Sequence, residues 1–259
     1  MEKFEKNFSE ANKEQMEKPP HATFFISRHG DTEYNEEFVD PETQEDLTDL
    51  GKEQIKNLAH DIESQIREGE KVYVMQSPRV RAQKSAQILE NELKDSGHEV
   101  EILGGGRSSL SNVKMLDEEG RHIRYEHGEK ERYLSAMAKI LKRIKGESDY
   151  YFKSRRGEVE NPITDIEKIK GRVSTMLRRL IEVARKRKGD NEKLILATHG
   201  EWLDTILELY FGKEILTAED QADKGEMIKL EVHDDHLTFS FRGEEVIIKD
   251  QEENEQEQK

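Results

Sequence analysis

The chain has 259 residues, of which 33% are hydrophobic and 38% charged, and a formal net charge of −15. That length is ample for a sizeable core, and the acidic balance argues against general nucleic-acid binding. The lack of cysteine excludes disulfides and thiolate chemistry and fits a reducing interior.

In chain order, residues 1–20 are polar and end in Pro19-Pro20. They read as a tail or short surface helix, with Phe4 and Phe8 spaced to share one face. Met1–Lys6 lacks the apolar core of a signal peptide, so a cytoplasmic location is expected. Ala22–Ser27 predicts the first strand, followed by an acidic loop over 36–46. A helix is expected from Thr48, its cap, to about Arg67, with Gly69 near the far end. Lys71–Gln76 reads as the second strand, and Pro78 suits the first turn of a helix reaching about Leu93. His98–Leu103 predicts a third strand. Gly104-Gly105-Gly106 closes it as a turn, since no G-K-[ST] follows to make a nucleotide loop.

Residues 107–132 are irregular and charged. Helical stretches follow near Glu131–Lys145 and Asp165–Lys186, joined by a polar linker, Lys153–Pro162. Lys193–Thr198 predicts the fourth strand and Trp202–Phe211 the helix after it. Met227–His233 and Leu237–Arg242 alternate apolar and polar residues around Asp234-Asp235, a hairpin pattern. Residues 249–259 form an acidic, glutamine-rich tail expected to be disordered, which leaves 21–248 as one domain. No apolar run reaches the length of a membrane-spanning helix. Strands alternating with helices predict a three-layer α/β/α sandwich, and the final hairpin makes its mostly parallel sheet a mixed one.

Two strands end alike. Phe24-Phe25-Ile26 runs into Ser27-Arg28-His29-Gly30, and Leu194-Ile195-Leu196-Ala197 runs into Thr198-His199-Gly200. The carboxyl ends of strands are where α/β sheets hold ligands. Arg28-His29-Gly30 with Thr32 and Asn35 resembles the R-H-G-x-[ST]-x-x-N signature of the histidine phosphatase superfamily, which includes the cofactor-dependent phosphoglycerate mutases. Leu47–Gln54 resembles that family's L-T-x-x-G-x-x-Q helix start, Ser77–Ala86 its S-P-x-x-R-A-x-x-[ST]-A, and Thr198-His199-Gly200 its second-histidine strand. Four short motifs in the right order are far more specific than any one of them. The resemblance covers roughly residues 21–245 and implies the same sandwich fold.

The resemblance implies a chemistry. His29 would be the nucleophile, carrying the phosphoryl group as a phosphohistidine. Arg28 and Arg81 would clamp phosphate oxygens with planar, permanently charged forks. His199 would contact the equatorial oxygens, while Asn35, Thr32 and Gly200 complete substrate binding. With that much positive charge in place, neither metal nor cofactor is expected. If His29 is to stay nucleophilic, its other ring nitrogen needs a fixed acceptor. The leaving oxygen needs a proton donor. The family's L-x-E stretch first aligns with Leu110-Ser111-Asn112, which offers an asparagine. Leu116-Asp117-Glu118 restores the carboxylate after a longer loop, so Glu118 is favoured, with Asp117, Glu119 and Glu201 as further candidates.

These residues predict a phosphomonoester hydrolase acting on a small phosphorylated substrate or a phosphoprotein. A phosphoglycerate-type mutase and a phospholigand-binding regulatory module remain alternatives, and the oligomeric state stays open. Arg107, Arg121, Arg124, Arg155 and Arg156 are candidates to meet an anionic substrate from the loops. His122 and His127 lack ligand spacing, and His233-Asp234-Asp235-His236 suits a turn better than a metal site.

Overall fold

The apolar run Phe24-Phe25-Ile26 forms the middle of β1 (Ala22–Arg28), the central strand of a seven-stranded sheet. The computed structural model describes residues 19–32, 46–104, 110, 150–159, 166–187 and 192–249. After β1 come α1 (Asp49–Glu63), β2 (Val72–Gln76), α2 (Val80–Asp95) and β3 (Val100–Ile102). Then follow α3 (Tyr150–Arg155), α4 (Ile166–Lys186), β4 (Glu192–Thr198) and α5 (Gly200–Tyr210). The chain closes with β5 (Met227–Val232), β6 (His236–Phe241) and β7 (Glu244–Lys249).

The strand order is β3-β2-β4-β1-β5-β6-β7. The first four strands run parallel and the rest antiparallel, so the sheet is mixed, as expected. Alternation along the strands feeds two cores. Phe24, Ile26, Leu194 and Leu196 join Trp202, Leu203 and Ile206 of α5 and Val173, Leu177 and Ile181 of α4 on one face. Phe25, Ile195 and Ala197 join Ile55, Leu58 and Ile62 of α1 and Ala86, Leu89 and Leu93 of α2 on the other. This is the three-layer α/β/α arrangement. Each fully buried side chain of this size stabilises the fold by about 1.5–3 kcal/mol.

Thr48 caps α1, its hydroxyl accepting from the Gly51 N–H at 2.9 Å. The helix ends at Glu63, short of Arg67. The Gln65 N–H bonds back to Ile62 O and the Ile66 N–H to Glu63 O, tightening the last turn, and Ser64 Oγ donates to Asp61 O. Gly69, at φ 84°, belongs to the turn beyond. Pro78 stays outside α2, whose cap is Arg79 in an extended conformation.

Two elements depart further from expectation. The supposed linker from Lys153 begins inside α3, which Phe152 and Arg155 anchor in the interior. Strand β7 extends the final hairpin by a further antiparallel strand. Its turn is Arg242-Gly243, both with positive φ (48° and 79°), a pairing suited to tight hairpins. The predicted helix over Glu131–Lys145 and the tails lie outside the described residues. Among the described residues, no helix is long and apolar enough to cross a membrane.

Candidate active site

Three adjacent parallel strands stop at one level. The β1–β4 register pairs Arg28 with Thr198, and the β2–β4 register pairs Gln76 with Ala197. The next residue on each strand continues the ladder. The His29 N–H donates to Thr198 O at 3.1 Å, and the Ser77 N–H to Ala197 O at 3.0 Å. The sheet thus delivers His29, His199 and Ser77 side by side at its carboxyl edge. The two imidazoles meet edge to face, with centroids 5.2 Å apart and planes at 70°.

His29 is 4% exposed. Its Nδ1 lies 2.7 Å from the carbonyl oxygen of Gly30. A carbonyl only accepts, so Nδ1 carries the proton and Nε2 keeps its lone pair. Burial holds the pKa well below the usual value, and the charges of Arg81, Arg28 and Lys224 reinforce it. A neutral imidazole with a free Nε2 is the nucleophilic form.

His199 is fully buried and also held well below its usual pKa, by burial first and then by Arg81. Its Nε2 pairs with Ser77 Oγ at 2.8 Å, and the same oxygen receives the Arg79 N–H at 3.3 Å. The Nδ1 atom is buried without a hydrogen-bond partner among the described residues. The serine of the S-P-x-x-R-A stretch is therefore an orienter of the second histidine.

Arg81, on the first turn of α2, is 6% exposed. Its charge bears on both histidines. The Arg28 guanidinium donates from one terminal nitrogen to the carbonyl of Ala222. It lies over Gly200, where an added Cβ would stand 2.9 Å from the Arg28 Cζ. Gly200 thus makes room for an arginine.

Gly30 is likewise explained by packing. An added Cβ there would meet Gly51 O at 2.3 Å, and one at Gly51 would meet Asp31 O at 2.2 Å. The glycines of the two motifs let the start of α1 lie against the turn after His29. The Gly30 N–H donates to Ser85 Oγ at 3.2 Å, whose hydroxyl donates to Arg81 O at 2.8 Å. Asp31 receives the Thr48 hydroxyl at 3.0 Å and pairs with Lys224. Its pKa is lowered by the hydrogen bonds from Lys224 and Thr48, which outweigh the opposing effect of burial.

Thr32 is 4% exposed, bridges to Leu47, and has no partner for Oγ1 among the described residues. Asn35 and Glu118 lie outside the described residues, as do Asn112, Asp117, Glu119, Arg107, Arg121, Arg124, His122 and His127. Leu110 is described. It is buried, and its carbonyl accepts from Thr198 Oγ1 at 3.3 Å, so Leu110 lies at the end of β4. Two loop arginines proposed to meet substrate are engaged elsewhere. Arg155 is buried against Glu208 at 2.8 Å, and Arg156 pairs with Glu158 at 2.5 Å. Among the described residues, no cluster of three or more acidic or histidine side chains could hold a metal ion.

Sequence reasoning missed Ala222 and Lys224. They sit in the segment before β5, which carries no motif and reaches the site only because β5 pairs antiparallel with β1.

Two imidazoles held neutral thus stand beside two guanidiniums at the carboxyl edge of a mixed sheet, in an α/β protein. The chain belongs to the histidine phosphatase superfamily (branch 1), whose sequence profile matches residues 24–244. Among solved structures, YhfR of Bacillus stearothermophilus is similar at a TM-score of 0.55 and 17% identity, over 88% of this chain and 96% of that one. Mycobacterial hydrolase 1 reaches 0.53 and 14%, over 86% and 98%. A mycobacterial glucosyl-3-phosphoglycerate phosphatase in complex with VO3 reaches 0.50 and 14%, over 88% and 97%. At these identities the likeness is one of fold. A sequence search of curated proteins finds no match.

Proposed function

We propose that this protein is a phosphomonoester hydrolase that works through a phosphohistidine on His29 and requires no metal ion. The observation that carries the reading is the bond from His29 Nδ1 to Gly30 O, which leaves Nε2 as the free, unprotonated nitrogen. Its lone pair attacks phosphorus in line with the leaving oxygen, and the P–O bond breaks as the N–P bond forms. Arg28 and Arg81 neutralise the transferring group, and their charge also keeps the imidazole deprotonated before substrate arrives. With the Ser77 hydroxyl donating to Nε2 of His199, its Nδ1–H is left to face an equatorial oxygen. Water then attacks the phosphohistidine, its proton passing to the carboxylate that had protonated the leaving oxygen, and inorganic phosphate is released as the lone pair is restored.

The leaving oxygen takes its proton from an acid, and Glu118 is the proposed donor. Asp31 is held by Thr48 and Lys224, and Asp204 lies wholly inside, so neither replaces it. The substrates are phosphomonoesters with solvent-accessible phosphate.

The test is hydrolysis of p-nitrophenyl phosphate, with and without chelator, by the wild type and by His29→Ala. Chelator-resistant turnover that disappears in the variant is expected. Wild-type rates in His29→Ala would refute the mechanism. Phosphate binding without turnover in the wild type would replace hydrolysis by a binding role.

A further inference from the structure

Asp204 is an aspartate with no solvent exposure, on α5 one turn beyond Gly200. It receives the Gln221 Nε2–H at 2.9 Å on one oxygen and the Ala222 N–H at 3.3 Å on the other. Ala222 is the residue whose carbonyl holds Arg28. The same peptide segment is therefore gripped by Asp204 through its nitrogen and grips Arg28 through its oxygen. On the other side, the Arg155 guanidinium approaches Asp204 at 4.0 Å while bonding Glu208 at 2.8 Å. Lys170 of α4 also reaches Glu208, at 3.9 Å.

A neutral asparagine has one acceptor oxygen and could take only one of these two donors, its amide nitrogen facing the other, so holding both calls for a carboxylate although charge is costly to bury. Resting on the phosphatase reading, we propose that Asp204 is a positioning residue for Arg28, fixing the Gln221–Ala222 segment so that one arm of the guanidinium is anchored and the rest faces phosphate. Arg155 brings α3 into the same linkage. A guanidinium tied at one terminal nitrogen is pre-organised, so less freedom is lost when phosphate binds.

The groups facing Asp204 are Arg155 from α3, Arg28 from β1, Glu201 from α5 itself, and Gln221 and Ala222 from the segment before β5. Burial, with Glu201 adding to it and the two arginines opposing, pushes its pKa up to about 6. The anchoring charge is present above that value and lost as pH falls through it. His29 titrates well below 6.5 and stays neutral at the upper end of this range.

The experiment measures inorganic phosphate affinity, and kcat and KM on p-nitrophenyl phosphate from pH 4.5 to 8, in the wild type, Asp204→Asn and Gln221→Leu. A melting curve checks that each variant is folded. Substrate ionisation is common to all three and cancels in their ratios. Asp204→Asn is expected to weaken phosphate binding and lower kcat/KM at pH 7.5 on the order of 10- to 100-fold, the scale of a misplaced binding group. Its deficit relative to the wild type should shrink below pH 6, where the wild type also loses the charge. Gln221→Leu removes a donor to the carboxylate, so the acid limb should move to higher pH. If Asp204→Asn fails to fold, that shift decides the matter.

A folded Asp204→Asn within twofold of the wild type in both affinity and kcat/KM overturns the inference, as does an acid limb unmoved in Gln221→Leu. Those results, with an active wild type, leave the phosphatase reading standing. A wild type that neither binds phosphate nor hydrolyses the ester overturns both.

Discussion

Gly200→Ala separates the fold of this protein from its proposed chemistry. The new methyl would stand 2.9 Å from Cζ, 3.0 Å from Nε and 3.2 Å from a terminal nitrogen of Arg28. Carbon atoms rest at about 3.5–4.0 Å, so the guanidinium must retreat by about 1 Å. The obstacle is the far end of a flexible side chain, which yields at little cost in stability, and alanine is the better helix former by up to about 1 kcal/mol. Melting should therefore shift by no more than a few degrees. A misplacement on the 1 Å scale can cost about 100-fold in rate. The expectation is a 10- to 100-fold fall in kcat/KM on p-nitrophenyl phosphate, about 1.4–2.7 kcal/mol of barrier. Phosphate affinity, read by titration, should fall in parallel. A variant that melts like the wild type and hydrolyses within twofold of it would refute the placement of Arg28 at the phosphate. One that unfolds would refute the claim that the contact is cheap to relieve.

Gly30→Ala should behave in the opposite way, because its Cβ would meet backbone at 2.3 Å in Gly51. Overpacking costs of about 1–3 kcal/mol correspond to a melting point lower by roughly 2–12 °C in a protein of this size, and an unchanged melting curve would contradict the close helix contact. Lys224→Met removes a cation that opposes protonation of His29. The His29 pKa, followed by the imidazole proton shift in NMR, should rise towards its ordinary value, and freeing the Asp31 carboxylate would add to the rise; an unchanged or lower value would refute the role given to Lys224.

The fold was legible where periodicity was strong. Phe24-Phe25-Ile26 and Leu194-Ile195-Leu196 announce strands buried on both faces, and Thr48 announces a helix cap. Boundaries set by competing short-range bonds were not legible. Ser64 and its neighbours end α1 early through contacts that any polar sequence could make. The strand β7 was missed because Val246-Ile247-Ile248 is short and its Arg242-Gly243 turn lacks the usual asparagine or aspartate, although glycine after a strand was a usable sign. At the site, the four motifs pointed to His29, Arg28, Arg81 and His199, and the structure brings them together. What Gly30 and Gly200 do was not legible: they make room for a helix and for an arginine, information that exists only between elements distant in sequence. Ala222, Lys224 and Asp204 were invisible for the same reason. None carries a motif, and only the fold brings them near Arg28 and His29.

The antiparallel pairing of β5 with β1 divides responsibility within the site. Strands β1, β2 and β4 point their ends at it, and those ends are locked in register by a continuous hydrogen-bond ladder. The segment before β5 arrives from outside and touches the ladder only where β5 begins, through the Arg28 N–H bond to Glu226 O. Its length can therefore vary without shifting the histidines. Exposed residues 216–219 of that segment can therefore be varied without disturbing the histidines, provided that Gln221–Glu226, which hold Arg28 and the start of β5, stay intact.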